Sequence, residues 1–307
     1  MADCKKMHSF SVIIPHHNIP QLLQRCLDSI PDIPEVQVIV VDDNSSEEKV
    51  DFEHFPGLER TNTTCILDKE GGGAGHARNI GLRNADGTWI VFADADDFFT
   101  KDAFDILNSH KDDPQDIILF KSSSVNSDDL TPSNRFQDLN HAIDYTLSGM
   151  ISAKRAILRQ PGPVCKMFRN SYIQSKNIWF DETMVSNDVM FVTKATCWTA
   201  DEAVTVSDEV LYTVTTRRGS LIDGRLKDVN NFLSRLEVQI RQNKFLKDYP
   251  QFRKDPIILQ LIQANKISKK AVFRTFFFIL KKGALFSGFD TFLRIVKSHI
   301  TGKKLLV

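Results

Sequence analysis

The chain has 307 residues, 42% of them apolar and 25% charged, which suffices to bury a full core and excludes a disordered chain. Lys plus Arg (39) equals Asp plus Glu (39), which argues against a uniformly basic nucleic-acid binder and against an acidic tail protein. The balance is uneven: residues 265–307 hold ten Lys or Arg against one acid, Asp290, a surplus of nine positive charges that residues 1–264 offset.

The N-terminus, Met1 to Ser11, is polar and lacks the apolar core of a secretory signal. Phe10–Ile14 and Val36–Val41 are short β-branched runs, apolar at nearly every position, as in parallel strands covered on both faces. Between them Leu22, Leu23, Cys26, Leu27 and Ile30 recur at helical spacing and complete a βαβ unit. Cys65–Leu67 is a third strand, a helix follows from about Gly75 to Ala85, and Trp89–Phe92 is a fourth strand running into Asp94-Ala95-Asp96-Asp97. This alternation predicts a doubly wound, mostly parallel α/β sheet.

Farther on, Lys101–Asn108 reads as a short helix and Asp116–Lys121 as a strand, while the polar stretch Ser122–Asn140 reads as an exposed loop. Pro161-Gly162-Pro163 marks a break before Val164–Phe168. Met190–Trp198 and Val229–Leu246 are predicted helices, Val204–Thr215 a strand or strand pair, and the chain from Pro256 on is predicted helical. Five scattered cysteines without a C-x-x-C pair argue against a disulfide framework or a thiolate zinc site. No stretch approaches the roughly 20 apolar residues of a membrane span.

The polar clusters fall at strand ends, where open parallel sheets bind ligands: Pro15-His16-His17-Asn18, Asp42-Asp43-Asn44-Ser45, Gly71 to Arg78, and Asp94 to Asp97. Each alone reads equally as turn chemistry. On an extended segment Asp94 and Asp96 would point to one side and offer two hard oxygen ligands for Mg²⁺ or Mn²⁺ carrying a diphosphate. Gly71–Gly75 completes neither a dinucleotide fingerprint nor a Walker loop, which disfavours NAD enzymes and P-loop NTPases. His76 reads as a packing or hydrogen-bonding residue, because no second His or Cys stands at ligand spacing.

The order and spacing of Ser11-Val-Ile-Ile-Pro15 with Asn18, Val40-Val-Asp-Asp-Asn-Ser45, Ala77-Arg-Asn-Ile-Gly-Leu82 with Ala85-Asp-Gly87, and Ile90 through Asp97 resemble the family 2 glycosyltransferases of the GT-A fold, which make bacterial surface polysaccharides. Val164–Phe168, Phe180–Glu182 and Asn187–Phe191 look like that family's acceptor-side segments, and Leu211-Tyr212 with Arg217–Leu221 like its closing loop; the resemblance covers about residues 9–222. It implies a GT-A domain over 1–222, with a nucleotide-sugar half (1–100) and an acceptor half (101–222), followed by a helical, basic extension over 223–307. It implies that Asp43 binds the nucleotide base, that Pro15, His17 and Arg78 line the base pocket, that Asp94 lies by the ribose or a metal-bound water, and that Asp96 binds Mn²⁺ or Mg²⁺, with Asp94 as a second ligand. Asp188 occupies the place of the catalytic base; without the resemblance it reads as a helix N-cap, and Asp181 and Glu182 lie close by. His17 stands where many members have an aromatic residue, and Asn187 where most have Glu.

The implied reaction is inverting transfer from a nucleotide-diphosphate sugar, UDP-linked by preference, to a glycan or lipid-linked acceptor, with no nucleic-acid partner. The competing readings are a sugar-nucleotide pyrophosphorylase, for which Pro15–Asn18 lacks the Gly-rich loop with Arg and Lys, and a non-catalytic membrane-peripheral binding protein. Phenylalanines and leucines interleaved with Lys and Arg over 265–307 read either as a helix lying on an anionic membrane or as one packed on the domain with a solvated basic face. The expected location is cytoplasmic, peripheral on the inner face of the cell membrane.

Overall fold

The computed structural model describes residues 8–217, 228–252 and 254–301. The charged N-terminus up to residue 7, the closing segment beyond Arg217 with its loop to Gly224, the expected domain boundary at 222/223 and the last six residues of the basic tail lie outside the described residues. The chain forms two compact units, one of residues 1–183 with 190–217, the other of 184–189 with 218–307.

The first unit is built on one eight-stranded sheet among the described residues: β1 (Phe10–His16), β2 (Val36–Asp43), β3 (Thr63–Asp68), β4 (Trp89–Phe92), β5 (Phe98–Phe99), β6 (Ile117–Asn126), β7 (Lys166–Arg169) and β8 (Val204–Thr216), in the order β3-β2-β1-β4-β7-β6-β8-β5. The strands β3, β2, β1 and β4 are mutually parallel, as are β6 and β8; β7 runs antiparallel to both its neighbours, and β5 to β8. The sheet is thus a mixed one with a parallel majority. The order reverses at β1, between β2 and β4, which makes the carboxyl ends of these strands the crevice for a ligand.

The apolar runs explain the core: Val12, Ile13, Ile14, Val38 to Val41 and Trp89 to Phe92 are all fully buried. Helices α1 (Pro20–Asp28) and α2 (Gly73–Asn84) follow β1 and β3, and α2 packs on β1 and β2. Gly81 is what lets α2 approach so closely, because a Cβ there would lie 2.3 Å from Ile13 Cγ2. Downstream come α3 (Ala103–Ser109), α4 (Gln137–Leu147), α5 (Ala153–Arg159), α6 (Asn170–Ser175) and α7 (Val189–Trp198).

One expectation is corrected here. Ser122–Asn140 is not a loop: β6 continues to Asn126, and α4 begins at Gln137 with Leu139, Ala142 and Ile143 buried. The polar strand end is held by pairing with β8 from Ser122 to Asn126, and the Asn140 side chain accepts from Ser122 N (3.0 Å) and donates to Ser122 O (2.8 Å). Val204–Thr216 is one strand rather than a pair.

In the second unit α8 (Val229–Phe245), α9 (Gln260–Ile267), α10 (Lys269–Lys281) and α11 (Phe289–Thr301) are helical. Its core gathers Phe232 and Leu236 from α8, Ala264 from α9, Ala271 and Ile279 from α10, with Ile257 and Ala284 from the connections. Among the described residues no helix is long and apolar enough to cross a membrane.

Candidate active site

At the end of β1 the chain turns through His17 and Asn18, the latter in the left-handed region (φ 60°). Asn18 N donates to Ser45 Oγ (2.8 Å) and Asn18 Oδ1 accepts from Ser46 N (2.9 Å), so the β1 and β2 turns are stitched together. The two acids ending β2 have opposite jobs. Asp42 is buried, bonded to His16 Nδ1 (2.7 Å), Ser45 Oγ (2.5 Å) and Ser45 N (2.9 Å). Burial alone would raise its carboxyl, but these bonds more than offset it and hold it below the ordinary range. Asp43 points the other way on the strand. Its Oδ1 accepts from Gly73 N (3.0 Å), and its carbonyl meets the exposed His17 ring at 2.8 Å. Pro15, His17 and Asp43 therefore stand together at adjacent strand ends.

The Asp94–Asp97 segment is a turn, closed by Asp97 N donating to Asp94 O (3.0 Å), and not the extended stretch expected. The turn nevertheless gathers its carboxylates. Arg78, nearly buried on α2 with its guanidinium 5.4 Å from the Phe180 ring centre, donates to Asp94 Oδ1 at 2.5 Å. Arg217 lies 3.2 Å from Asp96 Oδ2. The strand β8 fixes the turn from the side: the Tyr212 hydroxyl accepts from Asp94 N (2.9 Å), Thr215 Oγ1 donates to Asp96 O (2.8 Å) and Thr215 N to Asp97 Oδ1 (2.7 Å). Arg25 adds a bond to Asp96 O (2.6 Å).

Burial, and after it the charge of Asp94, raises the Asp96 carboxyl above the ordinary range, against the pull of Arg217. Asp97 is pushed well above it by burial and by Asp94 and Asp96, with the Thr215 bond opposing. Three crowded carboxylates, all hard oxygen donors, are a fitting environment for a divalent cation, whose charge would relieve their repulsion. Tyr212, Thr215, Asp97 and Arg25 were not singled out from the sequence as site residues. Asp97, adjoining the Asp94-x-Asp96 pair, and Tyr212, in the segment that resembles a closing loop, carry a local signal, and Thr215 and Arg25 carry none.

His76 hydrogen-bonds, as expected, and its partners are carboxylates. Its Nε2 is 3.6 Å from Asp68 Oδ2 and 3.8 Å from Glu70 Oε2, and its Nδ1 is 3.2 Å from Glu182 Oε1. Asp68, Glu70 and His76 could together offer one donor atom each to an ion, all within 4.8 Å of one another. Glu182 also accepts from Asn79 Nδ2 (3.1 Å), and that bond leads the effects that lower its carboxyl. The carboxylate partners, not a second His or Cys, were the signal to look for.

Asp188 directly precedes α7 and lies in 184–189, the segment that groups with the second unit. Ser186, two residues before it, is in the left-handed region (φ 55°) and accepts from Val189 N (3.4 Å).

The strand-end residues from Pro15 to Asp97 sit inside a match to the family model "Glycosyl transferase family 2", which spans residues 11–173 and stops short of Glu182, Asp188 and the end of β8. The chain belongs to glycosyl transferase family 2. It is 26% identical over 274 residues to the poly(ribitol-phosphate) beta-N-acetylglucosaminyltransferase TarS of Staphylococcus aureus, a match covering 84% of this chain and 44% of the relative. It is 28% identical over 183 residues to the poly(ribitol-phosphate) beta-glucosyltransferase of Bacillus spizizenii, covering 55% and 26%. The chain thus spans less than half the length of these relatives. A crystal structure of S. aureus TarS 1–349 in complex with UDP-GlcNAc superposes with a TM-score of 0.63 at 19% identity, covering 96% of this chain and 93% of that one. The mannosyltransferase PcManGT from Pyrobaculum calidifontis, in complex with GDP-Man and Mn²⁺, gives 0.53 at 15%, covering 96% and 81%. Together these likenesses establish the α/β fold as that of the GT-A transferases.

Proposed function

We propose that this family 2 member transfers a sugar, with inversion, from a UDP-linked donor to a hydroxyl of a glycan or lipid-linked acceptor in surface polysaccharide synthesis. The observation that carries the proposal is the placement of Asp43 at the carboxyl end of β2 and of Asp94 and Asp96 past that of β4, with Arg78 of α2 bonded to Asp94, all within the family match. The TarS relative, named for acting on poly(ribitol-phosphate), supports a polyol-phosphate polymer as the acceptor class.

In this reading Asp43 accepts a hydrogen bond from the nucleotide base, flanked by Pro15 and His17, while Arg78 holds Asp94 toward the ribose. Asp96, with Asp94, would hold Mn²⁺ or Mg²⁺, which when bound neutralises charge on the departing diphosphate. The resemblance puts Asp188 in the base's role, taking the acceptor hydroxyl proton as the new bond forms. Direct displacement without a protein nucleophile inverts the anomeric centre. A lipid-linked acceptor is met at the inner face of the membrane, where the basic 265–307 segment would face anionic lipid. Screening UDP-, GDP- and dTDP-sugars for metal-dependent hydrolysis tests the reading. Selective turnover of a UDP-sugar is expected, and binding without hydrolysis of any donor would sink it.

A further inference from the structure

The second unit turns apolar side chains outward. On α10 the residues Ala271, Thr275 and Ile279 are buried, and a helix brings i, i+4 and i+8 to one face. The opposite arc is not polar, as it would be on an ordinary packed helix. It carries Phe273 (66% exposed), Phe277 (64%), Leu280 (44%) and Phe276 (36%). At one edge of this arc, by helical spacing, stand Lys270, Arg274 and Lys281. On that side a groove between α8 and α10 has Leu233, Phe273, Phe277 and Phe278 as its floor and the same three cations around it. The next helix repeats the pattern: Phe289, Leu293 and Val296, spaced i, i+4 and i+7, are 41%, 53% and 38% exposed.

We propose that this face of α10, together with the exposed apolar residues of α11, docks on an anionic phospholipid surface. An apolar floor flanked by cations matches an acyl chain below a phosphate headgroup, and the lysine and arginine stems can cover the phenylalanines while their charges reach outward. Charge also selects this occupant over a second copy. From Ser268 to Phe289 there are five Lys or Arg and no acid, so two copies meeting through this face would oppose like charges. With no helix among the described residues able to span the bilayer, the mode is lying on the surface rather than crossing it. The proposal deepens the membrane part of the reading above, naming its residues, and does not depend on the sugar chemistry.

The test is co-sedimentation of the full chain with phosphatidylcholine vesicles and with mixed phosphatidylcholine–phosphatidylglycerol vesicles, at low and high salt. Binding is expected only with the acidic lipid and should weaken with salt. The double variant Lys270→Gln/Lys281→Gln should bind about thirtyfold more weakly, from roughly 1 kcal/mol for each cation at the surface. Phe273→Ser/Phe277→Ser should also release the protein from the vesicles. Both pairs are exposed, so thermal unfolding and donor hydrolysis should stay as in the parent. Failure to hydrolyse any donor would count against the transferase reading alone. Recovery of the parent chain in the supernatant of acidic vesicles overturns the proposal, as does undiminished binding by both double variants. A dimer that the phenylalanine variant dissolves, without lipid binding, would assign the face to a second copy instead.

Discussion

Arg78 donates to Asp94 Oδ1 across 2.5 Å from a side chain only 7% exposed, whereas Asp94 itself is 41% exposed. The fixed partner is thus the arginine on α2, and the carboxylate it orients faces outward. Replacing Arg78 by Met should cost about tenfold or more in UDP affinity, the scale of one charge-assisted bond. Arg78→Lys should recover little, because an ammonium cannot reproduce the planar fork. Calorimetric titration with UDP and Mn²⁺ reads both, and unchanged affinity in Arg78→Met would remove Asp94 from the donor site.

Asp96→Ala should abolish metal-dependent nucleotide binding, because the remaining carboxylates cannot hold ion and diphosphate in the same geometry. UDP affinity that still responds to Mn²⁺ in this variant would place the ion elsewhere, with Asp68, Glu70 and His76 as the next set to alter.

Asp188→Asn should leave donor binding near normal while kcat falls by roughly 10²-fold, the usual scale for a positioned base. Glu182→Gln is the discriminating partner: its carboxylate is held by Asn79 and His76, so its loss should disturb local order more than chemistry. If turnover survives the first change and disappears with the second, the base is Glu182.

The raised carboxyl of Asp97 carries a pH signature. In the window between the ordinary Asp value of 3.8 and its folded-state value, the native chain binds more protons than the unfolded one. Stability from this group is therefore present in acid and lost as pH rises through the window. Asp97→Asn keeps an oxygen for Thr215 N and removes the charge. The stability difference between variant and parent, measured by urea unfolding, should shift in the variant's favour from pH 4 to pH 7. A difference independent of pH would contradict the crowding.

Gly81→Ala should destabilise the first unit by about 1–3 kcal/mol, since the added methyl would lie 2.3 Å from Ile13 Cγ2, far inside van der Waals contact, and helix or strand must move. Urea unfolding checks it, and the loss should be smaller in an Ile13→Ala background, which lacks the clashing Cγ2.

The strands β1, β2 and β4 were legible because each is largely apolar and buried on both faces, a pattern with few alternatives, whereas the half-exposed edge strand β3 offered only Cys65–Leu67. The end of β6 was not, since Ser122–Asn126 has polar side chains and is strand only through its pairing with β8 and the Asn140 amide. The helix α4 was legible in principle from Leu139, Ala142 and Ile143, whose i, i+3, i+4 spacing was hidden inside a polar stretch. At the site, strand-end clustering pointed to Asp43, Asp94 and Asp96. It could not assign Asp42 to the buried side, nor show that Tyr212, Thr215 and Arg217, more than a hundred residues away, steady the acid turn. Such pairings are made by the fold, and local spacing does not encode them.

The grip of β8 on that turn has a corollary for how the site can change. Tyr212 holds the backbone of Asp94, Thr215 the backbone of Asp96 and the carboxylate of Asp97, and Arg217, just past the strand, the carboxylate of Asp96, so the short acid turn is braced along the end of β8. Tuning ion preference by altering the acids themselves is then a coarse instrument. Finer adjustment belongs to the end of β8, where exchanging the Tyr212 or Thr215 side chain would move the backbone of the turn without removing a carboxylate, and a search for variants with altered metal selectivity should find them there.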